Sequence, residues 1–124
     1  MNDPTVTRLR AVLAEMGASR VDQQGDGPFR NETYVVERVH VALQSDYGSW
    51  RANLSLDGHP FFPASFWLAA LSGSRDLPVP AVTEEDLPRL TACLDQIVAR
   101  APELALAVEA MGEDYRAAMR DGLS

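Results

Sequence analysis

The chain contains no lysine and a single cysteine, Cys93, among 124 residues. A lone cysteine forbids an intrachain disulfide and fits a reducing compartment. Without lysine, Ser72-Gly73-Ser74 cannot serve as a P-loop, which it is also too short to form. Long hydrophobic runs are missing too. The longest nearly unbroken one, about residues 60 to 71, is too short to cross a bilayer. The opening MNDPTVTRLR has no apolar h-region, so no secretory signal is expected and a cytoplasmic location is. Histidine is nearly absent. His40 and His59 form no i,i+4 or HxH pair, so nothing in the spacing predicts a zinc site.

What is present is an ordinary globular composition with 46% hydrophobic and 23% charged residues, enough for one domain, residues 1–124, with its own core. The net charge of −7 is unevenly placed. Residues 1 to 75 carry eight acids and seven arginines, whereas residues 76 to 124 carry ten acids and four arginines. That balance repels phosphate backbones, so nucleic acid is not an expected partner. It attracts a basic partner instead, or simply keeps the protein soluble.

Local patterns predict an α+β domain of order α-β-β-β-α-α-α, with the helices covering one sheet face. Asp3 and Pro4 open a helix whose face is Val6, Leu9, Val12, Leu13 and Met16, stopped by Gly17. Residues 19 to 24 suit a short strand before the Gly25-Asp26-Gly27-Pro28 breaker. TYVVERVHVALQ reads as one long strand, with Val35, Val39, Val41 and Leu43 on one face. Tyr34, Val36, Arg38 and His40 take the other. After a turn at Ser45–Gly48, Trp50, Ala52, Leu54 and Leu56 alternate with Ser49, Arg51, Asn53 and Ser55. These strands make a three-stranded antiparallel meander.

Pro63 then begins a helix with the stripe Phe66, Trp67, Ala70 and Leu71, expected to dock on Trp50 and Leu54. A Pro-containing linker follows at about residues 74 to 82. Thr83 and Asp86 resemble a capping box, and Leu87, Leu90, Leu94, Ile97 and Val98 form the next stripe. Pro102 ends or kinks that helix. The last one carries Leu104, Val108, Met111 and Tyr115.

Catalytic chemistry finds isolated candidates only. Asp22 to Gly27 partly fits a calcium loop, but Gln24 and Thr33 stand where ligands are needed. Cys93 borders an apolar stripe and reads as a small hydrophobe. Ser65 lacks the glycines of a nucleophile elbow. No cofactor and no metal is expected, and a small enzyme using His40 or His59 is the least favoured reading. The polar sheet face is a better lead, because Tyr, Arg and His on a rigid sheet are hot-spot residue types.

The stretch from Tyr34 to Gly73, with VHVALQSDYGSW, RANLSL and the aromatic FFPASFWLAALSG, resembles small bacterial immunity proteins of polymorphic toxin systems. The likeness spans about a third of the chain. It implies a cytoplasmic, non-enzymatic protein that binds a basic toxin domain and occludes its active site. The sheet-then-helix order is also similar to secretion-chaperone-like domains. The expected partner-binding residues are Tyr34, Arg38, His40, Tyr47, Arg51, Phe61, Glu84, Glu85, Asp86, Glu113 and Asp114. Neither a nucleic acid nor a membrane is an expected partner. The alternative is a structural homodimer that pairs the Leu104, Val108, Met111 and Tyr115 stripe with a twin chain.

Overall fold

A computed structural model describes residues 4–26, 29–46, 49–73 and 86–123. Helix α1 (Pro4–Glu15) buries Val6, Leu9 and Leu13, the i, i+3, i+7 positions of its apolar face. Four strands of eight residues follow: β1 (Ser19–Asp26), β2 (Phe29–Val36), β3 (Val39–Asp46) and β4 (Ser49–Leu56). A two-residue strand, β5 (Phe62–Pro63), leads directly into α2 (Ala64–Ser72). Then come α3 (Asp86–Ala99) and α4 (Ala101–Leu123). The fold is α+β, with one antiparallel sheet in the sequential order β1-β2-β3-β4-β5.

The sheet therefore has five strands rather than three. The main cause is a tight turn inside TYVVERVHVALQ, where Val36 pairs with Val39 and Glu37 and Arg38 make the corner. Glu37 holds a positive φ of 55°, a position where glycine is the usual choice. The turn reverses side-chain parity. Tyr34 and Val36 thus face inward with Val39, Val41 and Leu43, while Val35 faces outward opposite His40.

One core fills the space between the inner sheet face and the helices. It joins Leu43, Leu54 and Leu56 to Phe66, Trp67, Leu90, Leu94, Ile97, Leu104 and Val108. Trp67 is 1% exposed and donates its indole N–H to the Leu54 carbonyl at 3.1 Å. That bond fixes α2 on the face the alternation of β4 predicts. Gly73 ends α2 in the left-handed region, its N–H reaching back to the last carbonyls. Arg100 separates α3 from α4, so Pro102 lies in the first turn of a new helix, where its missing N–H costs nothing. The capping-box residue Thr83 lies outside the described residues.

Candidate functional site

The connection from β4 to β5 is held by its backbone and by two histidines. The Asp57 N–H donates to the Arg38 carbonyl at 3.0 Å, and the His59 N–H to the Leu56 carbonyl at 2.9 Å. Gly58, with a φ of 81°, makes the bend between them. The Asp57 carboxylate accepts from His40 Nε2. One turn on, His59 Nδ1 donates to Glu109 of α4, tying this short connection to the last helix.

Phe61 follows those anchors and is 48% exposed. Its ring meets His40 edge-on, with centroids 6.4 Å apart and planes at 83°. Its neighbour Phe62 faces the opposite way. Phe62 is buried, pairs with Leu54 in the sheet and stacks on Phe66 at 5.8 Å. The period of a strand thus sends one phenylalanine inward and leaves the other in solvent. Pro63, expected to begin the helix, instead closes a two-residue strand, because pairing with β4 decides its conformation.

The polar sheet face carries a different set of residues from the one expected. His40, Arg51 and Asn53 do lie on the outer face, beside Asn31, Thr33, Ala42 and Gln44. Asn53 donates to Gln44 at 3.3 Å. Arg38 sits in the β2–β3 turn and is exposed. Tyr34 belongs to the inner face, where its hydroxyl donates to Glu32 at 3.2 Å. The hairpin turn at Glu37 and Arg38 explains both corrections.

Of the acidic candidates, Glu113 and Asp114 are exposed on α4, and Asp86 is the first residue of α3. Tyr47, Glu84 and Glu85 lie outside the described residues. The stripe proposed for a twin chain is largely used up within the fold. Leu104 is 2% exposed and Val108 fully buried, while Met111 and Tyr115 pack on the same core.

Sequence reasoning missed two features. The first is Leu106, 68% exposed on α4, together with the Glu109–His59 bond beside it. Leu106 lies off the apolar stripe of its helix, and a large apolar residue on a polar helix face is the signal that could have marked it. The second is a buried ion pair. Glu32, 5% exposed on the inner face, accepts two hydrogen bonds from Arg10 of α1, at 2.9 and 3.0 Å. The Arg10 guanidinium also stands 5.2 Å from the centre of the Trp50 ring. Burial, with the Glu32 carboxylate beside it, raises the Tyr34 hydroxyl above the ordinary tyrosine range.

The chemistry open to these groups is limited. Each imidazole is held by a carboxylate, which orients the ring as a general base requires. A cavity of about 430 Å³ lies between α1 and α3, and among the described residues its lining, which includes Arg8, Val12 and Thr91, contains no histidine and no acid. Cys93 packs against the core. The strand pairing of Asp22–Asp26 with β2 places the calcium-like stretch in a ladder rather than in an ion-binding loop. Among the described residues, no group of three metal-ligating side chains comes together, and no helix is long and apolar enough to cross a membrane.

Against family models, curated proteins and solved structures, the chain finds no match.

Proposed function

We propose that this chain is a non-enzymatic binding protein of the immunity type, which occludes a toxin domain by covering its active site. The observation that supports it is the presentation of Phe61. A large aromatic ring stands half in solvent while its backbone is anchored through Asp57–His40 on one side and His59–Glu109 on the other. Exposed aromatic anchors on ordered backbone lose little entropy on binding, which is how hot-spot residues gain affinity. The net charge of −7 complements a basic partner and speeds the encounter.

Occlusion asks nothing of the chain beyond a stable surface of the right shape. The acids then steer, because an exposed ion pair contributes only ~0.2–1 kcal/mol. The test is to sequence the flanking genes and co-express this chain with any toxin domain that they encode. Restored growth and a complex that co-purifies support the reading. Full toxicity with no complex overturns it.

A further inference from the structure

Helices α1 and α3 pack against each other, with Leu9 and Leu13 of one and Leu90 and Leu94 of the other buried in the common core. Beside that contact each helix presents a run at helical spacing, Thr5, Arg8 and Val12 on α1 and Pro88, Thr91 and Ala92 on α3. Apart from Arg8 these side chains are short. They cannot fill the space between two helix surfaces, and the cavity of about 430 Å³ is what remains. Small-molecule sites span ~300–1,000 Å³, so it is large enough to hold a ligand. Val12 also packs against the core, which gives the cavity an apolar wall.

The polar side chains of the described lining are committed, with one exception. The Thr91 hydroxyl donates to the Leu87 carbonyl at 2.7 Å, and Thr5 is engaged as well. Arg10 is held by Glu32 and Arg100 by Glu103, each at 2.9 Å, whereas among the described residues no carboxylate pairs with Arg8. A guanidinium presents its N–H donors in a planar fork that matches a carboxylate with two parallel bonds. The described lining holds no second cation, and Pro4, Val12, Pro88 and Ala92 are apolar. One negative charge with carbon behind it fits that set. A polyanion would find a single cation, a cationic ligand would be repelled, and a neutral one would leave the fork unmatched.

We infer that the cavity between α1 and α3 binds a small monocarboxylate with an apolar body, the carboxylate on Arg8 and the body against Val12, Pro88 and Ala92. The site goes beyond the protein-binding reading and does not depend on it. Of the described residues expected to meet a partner protein, none lines this cavity. A ligand seated there touches both helices, so it stabilises the fold by mass action.

The experiment is an amide-resolved NMR titration of the full chain with phenylbutyrate, and in parallel with phenylbutyramide, which has the same body and no charge. Saturating shifts are expected at Thr5, Arg8, Val12, Thr91 and Ala92, with a dissociation constant of about 1 mM or lower for the acid. The amide should bind about tenfold more weakly. Arg8→Gln should cost the acid about tenfold and leave the amide unchanged, because only the charge-assisted bonds are lost. Arg116→Gln, at an exposed arginine of α4, should change neither. Ala92→Phe fills the cavity from an exposed position and should abolish binding of both. Arg8 and Ala92 are both exposed, so thermal melts of the ligand-free variants should match the parent. Equal affinity for acid and amide overturns the inference, as does binding indifferent to Arg8→Gln or to Ala92→Phe. Shifts spread over other exposed arginines, Arg116 among them, also overturn it, because the acid would then be following surface charge and not this cavity.

Discussion

Arg10 and Glu32 form a two-pronged ion pair, Nε to Oε2 at 2.9 Å and Nη2 to Oε1 at 3.0 Å, linking the first helix to the second strand. The carboxylate is 6% exposed, and its hydrogen bonds come from that guanidinium and from the Tyr34 hydroxyl. Arg10→Ala should therefore destabilise the fold by about 3 kcal/mol, the cost of a buried charge without its partner. Urea unfolding measures this. Arg10→Met with Glu32→Leu should recover most of the loss, because no charge is then left behind.

Tyr34 makes the stability of the fold sensitive to alkali. Its folded-state pKa is raised by burial and then by Glu32, so the folded state keeps the proton longer than the unfolded chain does. The contribution is complete below the ordinary tyrosine range near pH 10 and is lost as pH climbs through the raised value. Absorbance titration of tyrosinate should show one late-titrating phenol that Tyr34→Phe removes. The same variant should flatten the loss of stability between pH 10 and the folded-state value.

Gly112 is fixed by Phe62. A Cβ at this helical position would stand 2.4 Å from Phe62 Cε1 and 2.9 Å from Cζ. The ring has little room to yield, because it is buried and stacked on Phe66. Gly112→Ala gains helix propensity of about 1 kcal/mol but overpacks the core at ~1–3 kcal/mol. A net lowering of the melting temperature is expected, and Phe62→Leu in the same chain should reverse part of it.

Glu37 occupies a left-handed conformation at the β2–β3 corner, with φ at 55°. A non-glycine residue pays roughly 1–2 kcal/mol there. Glu37→Gly should stabilise the protein by less than that, about 0.5 kcal/mol, since glycine also frees the unfolded chain. Denaturant midpoints check the sign.

These residues also show how far the sequence could be read. The alternation of Trp50, Ala52, Leu54 and Leu56 named the inner face of β4 directly, and the helical stripes placed α1 and α2 to within a residue. The corner at Glu37 and Arg38 was hidden because neither residue carries turn chemistry. That omission merged two strands and put Tyr34 on the wrong face. Phe61 rather than Phe62 was expected to meet a partner, and pairing of Phe62 with Leu54 supplies the physical reason that one ring is buried and the other exposed. The tie between the β4–β5 connection and α4 was harder still. Glu109 gains its partner only when His59 arrives from fifty residues away, which no local period encodes.

The most direct test titrates this chain into a purified toxin domain, chosen from those that the flanking genes are found to encode, and follows the toxin's activity. A protein that occludes an active site should abolish activity at one equivalent, with complex formation slowed by salt as basic and acidic faces are screened. Phe61→Ala should then need a large excess to do the same. Undiminished toxin activity at a large excess of folded protein would contradict the proposed function.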